Sequence, residues 1–573
     1  MPQSISDLGY PSRMKLSRAV VLLLFSSLPI LAQSWDIKLD KDVRFYQSTE
    51  LGVVIAGTEK SLYAVDGETG EILWRRKDTS LDETDVAPVP GTDLLLLSFE
   101  KGDKARIEAV DILSGESIWR SEKIKGAVMQ TSVDPANNLL AVVLAKDAKN
   151  RARDGFKRRP LLHVLDLATG DELWKYEAGE VEMMPARWPD DSGKEVAYTL
   201  DNYYPPVFVD GRLYVFYEGV TSFDARNGKE RLREKYRVNE DGLALTEAEP
   251  IFTGDFIYVS GHGRVRAISR QTGDTEWEAK DLGLTPEMIL VGDVLYVRTG
   301  GQFTRLKDGD TIERGSYGVS AIDARSGKVL WRYKGADKGI TNLLLPDRNT
   351  VAIADRDDLI FLDASNGKRM LRVSHKIERA SFGLINERGD IVIGGQSEIA
   401  AFDISRGREL WRARHTPPGR GILRTVAAIA ARAASLYFRF SGPGMFAFRA
   451  ASSFSNLQSL ATLATRNRRS PSRFNRFGIA SRIRDRVDPS RQLDRLSRFL
   501  WHRDRLATVR GQWMYFYTSL ERGGNGLAGV NVNNGRTERE VRLPDLDERF
   551  ITDEVLGSMF TASGERLFSH GLH

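Results

Sequence analysis

The candidate catalytic or metal-ligating residues of this chain are an Asp that recurs at regular intervals and seven histidines. The sequence contains no cysteine. Without Cys there can be no disulfide, no Cys-ligated zinc or iron–sulfur cluster and no thiol nucleophile. The histidines form no His-x-x-x-His or Glu-x-x-His pair with metal-ligand spacing. Nucleophile elbows and phosphate loops are also missing, and Gly300 and Gly301 are expected in a strand connection. The sequence therefore predicts no metal site. The role of the recurring Asp follows from its position in a repeat.

The recurring acid stands four positions before a glycine and eight before a tryptophan, as in Asp66, Gly70 and Trp74. An Asp side chain can accept hydrogen bonds from the amides of a turn, and Gly adopts a positive φ without a Cβ clash. Alternating apolar residues on both sides predict two strands. The unit is therefore predicted to be a β-hairpin whose Asp closes the turn, which accounts for the acid without catalysis.

Copies of this hairpin recur along nearly the whole chain. The clearest turns are Asp66 to Gly70, Asp111 to Gly115, Asp166 to Gly170, Asp323 to Gly327 and Asp403 to Gly407. Variant turns are Asp224 to Gly228, Ser269 to Gly273, Asp363 to Gly367 and Asn531 to Gly535. The tryptophans are Trp74, Trp119, Trp174, Trp277, Trp331 and Trp411. The first eight glycines are 40 to 58 residues apart, close to the length of a four-stranded propeller blade, about 40 to 50 residues.

The two ends of the chain hold incomplete copies. Leu556 to Phe560 and Glu565 to Phe568 supply strands of a tenth unit without a Trp strand, whereas Ser34 to Leu39 resembles the strand that follows each repeat glycine. Closing the ring between these ends would remove exposed sheet edges. The sequence therefore predicts an all-β propeller of eight or more blades, counted as nine hairpins plus one split blade. Residues 35–415 form its first part, and residues 511–573 form its last part, which closes on residues 35–46.

The pattern Ala-x-Asp-x-x-x-Gly-x-x-x-Trp, as in Ala64 to Trp74, Ala109 to Trp119 and Ala321 to Trp331, resembles the tryptophan-docking repeat of pyrroloquinoline-quinone (PQQ)-like β-propellers. The resemblance implies that the six repeat tryptophans wedge between adjacent blades. The resemblance also leaves more than one function open, because the family includes enzymes and non-catalytic proteins. Enzymes of this family bind PQQ and Ca²⁺ on the propeller axis, commonly beneath a Cys–Cys disulfide that this chain cannot form.

The resemblance is closest in type to the propeller subunit of the outer-membrane β-barrel assembly machinery. It implies a non-catalytic, cofactor-free scaffold that presents a propeller face to other envelope proteins. A PQQ-dependent quinoprotein dehydrogenase is one alternative, and a glycan-binding or sensor propeller is another. No catalytic residue is expected in the scaffold.

Residues 1–34 have the order of a secretory signal peptide with an upstream extension. Lys15 and Arg18 precede an uncharged apolar run from Ala19 to Leu31, and small residues follow. The run is shorter than the roughly 20 residues of a membrane span, so cleavage is favoured over retention as an anchor. Met14 is an alternative start. The mature chain is expected in the periplasm or on the periplasmic side of a membrane.

Residues 416–510 interrupt the repeat and are predicted to be an Arg-rich helical insertion. Residues 420–510 hold 19 Arg, four Asp and no Lys or Glu, a formal charge of +15; because the whole chain carries +5, the remainder carries −10. Basic amphipathic helices contact anionic membrane surfaces or acidic partners. Packing of the same helices on the acidic propeller is the alternative, and nucleic acid is not expected as a partner of an exported protein.

Overall fold

The computed structural model describes most of the chain from residue 34 to residue 572. The positions within this range that it leaves out are 78, 90–91, 102, 147–156, 186–197, 201–202, 235–247, 262, 305–310, 338–341, 379, 381, 396, 416–439, 442–512, 521–522, 544–549 and 554–555. The predicted helical insertion therefore lies outside the described residues, except for Phe440–Ser441. These two residues form a short strand that pairs in parallel with Thr131 and Ser132.

Besides two two-stranded ribbons, the described residues form ten sheets, numbered here as blades in chain order. Blades 1 to 5 consist of Val43–Ser48, Val53–Thr58, Ser61–Asp66 and Ile72–Lys77; Val86–Pro88, Leu94–Lys101, Lys104–Asp111 and Ser117–Arg120; Ala127–Asp134, Leu139–Ala145, Pro160–Asp166 and Glu172–Glu177; Val207–Val209, Arg212–Val215, Val220–Asp224 and Glu230–Glu234; Ile251–Phe252, Phe256–Gly261, Arg264–Ser269 and Thr275–Ala279.

Blades 6 to 10 complete the series. They consist of Glu287–Val291, Val294–Thr304, Thr311–Asp323 and Val329–Tyr333; Thr350–Ala354, Asp358–Asp363 and Arg369–Ser374; Phe382–Ile385, Ile391–Gly394, Glu398–Phe402 and Glu409–Arg414; Trp513–Ser519, Asn525–Asn531 and Thr537–Arg542; Phe550–Asp553, Ser558–Ser563, Arg566–Gly571 and Trp35–Lys38. In blade 7 a single bridge from Leu344 to Ala352 stands in place of the first strand.

Short pieces lie between the blades. Ile124–Lys125 pairs with the third strand of blade 2, and two small ribbons follow blade 3: Lys157–Arg158 with Val181–Glu182, and Met184–Pro185 with Tyr198–Thr199. The described helices are two 3₁₀ turns, Glu83–Asp85 and Pro135–Asn137. Neither is long or apolar enough to cross a membrane.

The middle strands of a blade are buried on both faces, whereas the fourth strand is buried on one. All six residues of Val53–Thr58 and of Ser61–Asp66 are buried, and within Ile72–Lys77 only Trp74 is fully buried. Continuous apolar runs suit strands covered on both faces, and alternation suits a strand half exposed to water. The sequence pattern thus separates the strands inside the ring from those at its rim.

The core consists of ten layers of apolar side chains, each lying between two consecutive blades. One layer joins Val53, Ile55 and Leu62 of blade 1 to Leu95 and Leu97 of blade 2. The remaining described clusters repeat this arrangement at the other nine junctions. A blade therefore has no core of its own, and burial of its apolar faces requires both neighbours.

Blade 10 is the split blade expected from the sequence. Trp35–Lys38 pairs antiparallel with Arg566–Gly571, and Ser48 of blade 1 donates a hydrogen bond to Asp553 of blade 10 at 2.9 Å. An apolar layer containing Val54 and Phe560 lies between these two blades. The propeller is thus a closed ring of ten blades among the described residues.

The expectation that Gly300 and Gly301 lie in a strand connection is wrong. Both lie inside the strand Val294–Thr304, where the register shifts between Thr299 and Gly301 and Gly300 has a φ of 82°. A bulge with Gly in the left-handed region lets a long hairpin continue with a bend. Gly300 and Gly301 therefore allow the strand Val294–Thr304 to continue through a bulge instead of ending in a turn.

Candidate functional site

The repeat acids are used by their own turns. Oδ1 of Asp66 accepts hydrogen bonds from the amides of Glu68 and Thr69, both at 3.0 Å. Corresponding bonds form at Asp111, Asp166, Asp224, Ser269, Asp323, Asp363, Asp403 and Asn531. The glycine that ends each turn has a φ between 64° and 84°. These carboxylates therefore have a structural partner and do not converge on one site.

The same hydrogen bonds affect protonation. The Ser326 hydroxyl, which donates to Asp323 at 2.7 Å, lowers the pKa of that carboxyl. The Ser365 hydroxyl lowers the pKa of Asp363, and the amide of Arg406 lowers the pKa of Asp403. A carboxylate that accepts several hydrogen bonds prefers its charged form. These acids are poor candidates for proton transfer near neutral pH.

Each repeat tryptophan reaches the following blade and lies against the glycine of its turn. Trp74 Nε1 donates to the carbonyl of Ile112 at 2.7 Å, and a Cβ on Gly115 would lie 2.6 Å from the indole. The indoles of Trp35, Trp119, Trp174, Trp277 and Trp331 donate to carbonyls of Gly67, Leu167, Ala225, Ala324 and Ala364. Trp411 lies against Gly535, and its Nε1 is buried without a partner in the described residues. The structural docking role assigned to these tryptophans stays a prediction.

Three blades have another residue at the tryptophan position, namely Leu232 in blade 4, Leu371 in blade 7 and Arg539 in blade 9. Leu371 and Val373 of blade 7 lie where a Cβ on Gly407 would be. In blade 9 the guanidinium of Arg539 lies 3.5 Å from the centre of the Trp513 ring and donates to the Tyr515 hydroxyl at 2.6 Å. A guanidinium over an aromatic ring is attracted by the negative face of that ring. The sequence showed Arg539 at the Trp position but gave no signal for Trp513.

The histidines that the structure describes do not cluster at one site. His163 Nδ1 lies 2.7 Å from the Glu172 carboxylate. Burial acts to raise the pKa of Glu172, but the hydrogen bond with His163 acts against it, and the pKa is lowered overall. His375 is fully buried, and its Nδ1 accepts from the amide of Ile377 at 3.0 Å. Within the described parts of the chain no group of three or more His, Cys, Asp or Glu side chains is arranged to hold a metal ion.

A basic crevice between blades 1 and 2 is the candidate functional site. It has a volume of about 430 Å³ and is lined by six cationic side chains and one carboxylate. The cations are Arg76, Lys101, Lys104, Arg106, Arg120 and Lys123. Cavities of about 300 to 1,000 Å³ are the size of small-molecule sites.

The single carboxylate of the basic crevice is Glu108. Its side chain is 3% exposed and lies 2.9 Å from Arg76 of blade 1 and 3.2 Å from Arg120 of blade 2. Glu108 is thus shared by two arginines and offsets only one of the six positive charges. The crevice keeps a strong positive potential in a chain whose residues outside 420–510 are acidic overall.

Sequence reasoning missed the basic crevice. Arg76 and Glu108 are 32 residues apart and on different blades, so only the ring brings them together. The available signal was local: Lys104, Arg106 and Glu108 alternate along one predicted strand and must share a face.

Comparison with known proteins gives a family match and a set of similar solved structures. The family model described as outer membrane protein assembly factor BamB matches residues 32–185, 103–280, 166–314 and 315–477. No curated protein matches significantly. Similar solved structures include BamB from Moraxella catarrhalis, with 15% identity over 65% of this chain and 97% of that chain and a TM-score of 0.35.

Two further structures show the same low level of similarity. The computationally designed Ika8 protein has 14% identity over 62% of this chain and 95% of that chain, with a TM-score of 0.33. Quinohemoprotein alcohol dehydrogenase from Comamonas testosteroni has 14% identity over 65% and 72%, with a TM-score of 0.31.

Proposed function

We propose a scaffold function for this chain, which belongs to the family of the outer membrane protein assembly factor BamB. In this proposal it is a non-catalytic, cofactor-free propeller of the cell envelope that holds partner proteins during outer membrane protein assembly. The observation that carries the proposal is the family match, whose segments together span residues 32–477 of 573.

The hydrogen bonds and packing of the repeat residues support a scaffold function. The carboxylate oxygens of the turn acids accept hydrogen bonds from backbone amides, as in Asp66. The indoles lie against the next blade, as in Trp74. Groups committed to architecture in this way are not available as acids, bases or ligands. What a closed ring offers a partner is its two faces and its rim, and function on such a fold lies in the surface that a partner contacts.

The proposal places the chain in the periplasm or on the periplasmic side of a membrane. It is supported by the signal-peptide order of residues 1–34 and by the family's name. Residues 420–510, with their +15 charge, are proposed to contact an anionic membrane surface or an acidic partner.

Co-purification tests the scaffold. A tagged full-length chain, expressed in the organism that encodes it, is isolated from detergent-solubilised envelopes after mild cross-linking. We expect the barrel subunit of the outer-membrane assembly machinery to be retained. A tagged, unrelated periplasmic protein of similar charge is the control. Absence of that subunit above the control level would overturn the proposal.

A melting experiment tests the enzyme alternative. A ligand at about 100 times its Kd stabilises the folded state by about 2.7 kcal/mol, so PQQ with Ca²⁺ would raise the Tm of a quinoprotein measurably. For the scaffold we expect an unchanged Tm with both compounds present. A concentration-dependent rise, absent with Ca²⁺ alone, would favour the dehydrogenase.

A further inference from the structure

The basic crevice begins where the apolar layer between blades 1 and 2 ends. On one face of blade 2, Leu95 and Leu97 pack into the layer shared with blade 1, and Phe99 lies partly buried at its border. The opposite face carries Leu94 and Leu96 and packs on blade 3. Because side chains alternate along a strand, Lys101 continues the row that starts at Leu95. The row thus changes from apolar to cationic as it leaves the core.

The partner strand makes the same change. Val110 belongs to the layer shared with blade 1, and Glu108, Arg106 and Lys104 follow it on the same face at alternate positions. Arg106 stands opposite Phe99, and Lys104 stands opposite Lys101. Like charges directly opposite each other destabilise a strand pair. Burial in the core does not explain a lysine pair at this position, whereas an anion between the two would offset their repulsion.

Two guanidinium nitrogens of the crevice lack an acceptor. Nε of Arg106 and Nη1 of Arg76 are buried and have no hydrogen-bond partner in the described residues. Among the described residues, Glu108 is the one acid within ion-pair distance of Arg76, and Arg106 has no acid within that distance. A buried donor without an acceptor is costly, more so when charged, and such a group in a native structure calls for a missing acceptor.

We propose that the basic crevice binds the phosphate group of a small organic phosphate. Arginine presents planar donors that match phosphate oxygens bidentately, and lysine adds point charge. The cavity of about 430 Å³ is larger than a bare phosphate, and Phe99 with the aliphatic stems of the lysines covers the organic part. A soluble organic phosphate and a lipid headgroup share this chemistry. The site stands on the geometry of blades 1 and 2 and does not depend on the scaffold function.

Calorimetric titration of the full chain tests the site with inorganic pyrophosphate and with glycerol 3-phosphate. We expect binding at about 50 mM NaCl that weakens strongly at about 500 mM, because salt screens charged contacts. The double variant Lys104→Gln/Arg106→Gln should bind about tenfold more weakly or worse, since charge-assisted hydrogen bonds are lost. Lys368→Gln, which removes an exposed cation on a turn of blade 7, is the matched control and should bind like the wild type.

A variant that should bind phosphate more tightly distinguishes a specific effect from loss of binding through misfolding. Glu108→Gln keeps the shape of the side chain and removes the only carboxylate of the crevice, so pyrophosphate should bind several-fold more tightly. Thermal melts of every variant establish that it is folded. Wild-type binding that is absent at low salt, or unchanged in both the double variant and Glu108→Gln, would overturn the proposal.

Vesicles identify the source of the phosphate. The wild type and the double variant are co-sedimented with phosphatidylcholine vesicles with and without phosphatidic acid. A deficit of the double variant only on the acidic vesicles supports a lipid headgroup, and a deficit only with the soluble probes supports a soluble ligand. Tight binding of a poly-glutamate peptide without measurable binding of any phosphate probe would overturn the proposal in favour of an acidic protein partner.

Discussion

The contact between a repeat tryptophan and the next glycine predicts how two glycine substitutions should differ. Gly115 has a φ of 72°, and its Cβ would lie 2.6 Å from the Trp74 indole. Gly211 has a φ of 74°, and nothing lies within 4 Å of its Cβ position. Gly115→Ala and Gly211→Ala therefore impose the same backbone strain, and only the first meets an indole.

The expected magnitudes follow from these two terms. An alanine in the left-handed region costs about 1 to 2 kcal/mol, which is the whole expected loss for Gly211→Ala. Forcing a methyl group into a packed interface costs about 1 to 3 kcal/mol more. Gly115→Ala should therefore lower the free energy of unfolding by about 2 to 5 kcal/mol.

Urea unfolding followed by far-UV circular dichroism measures both losses, and a double-mutant cycle assigns the difference. In a Trp74→Ala background the indole is gone, so Gly115→Ala should cost only the backbone strain. Equal losses for Gly115→Ala and Gly211→Ala, or an undiminished loss in the Trp74→Ala background, would refute the docking role of the repeat tryptophans.

Three further predictions concern single regions. Burial, with a smaller effect of the Asp111 charge, raises the pKa of Asp93 to about 6. The stability from its protonated form is present below pH of about 4 and is lost as pH rises through about 6. Asp93→Asn should thus raise the free energy of unfolding by about 1 to 3 kcal/mol at neutral pH, and equal gains in urea unfolding at pH of about 4 would contradict this. Lys38 and Arg566 face each other across the split blade, and opposed antiparallel residues lie within disulfide range. Lys38→Cys/Arg566→Cys should form a disulfide visible on a non-reducing gel, and its absence after oxidation would argue against a shared blade. Deleting residues 420–510 should abolish co-sedimentation with anionic phosphatidylglycerol vesicles, and unchanged binding would exclude them as the membrane contact.

The architecture was readable from the sequence because its information is local and repeated. An Asp and a Gly four positions apart specify a turn by themselves, and nine copies specify the period of the blade. The split blade was also foreseeable, since Trp35 follows the pattern of the strand after each glycine. A closed ring then follows from the need of each blade to cover both faces.

Features that depend on contacts between blades were not readable. The basic crevice needs Arg76 from one blade and Glu108 from the next, and no local pattern links them. The bulge at Gly300 resembles a turn because both use glycine at positive φ. The stacking of Arg539 on Trp513 joins residues of two strands whose register the sequence does not give.

The amount of folded outer membrane β-barrel protein in cells lacking this chain tests the scaffold function most directly. Folded barrels migrate differently from unfolded ones on gels of unheated envelopes, so their fraction can be measured. If the chain is a scaffold for barrel assembly, the folded fraction should be reduced in these cells and restored by the wild-type chain. An unchanged fraction in the deletion strain, with normal barrel levels in the envelope, would contradict a role in outer membrane protein assembly.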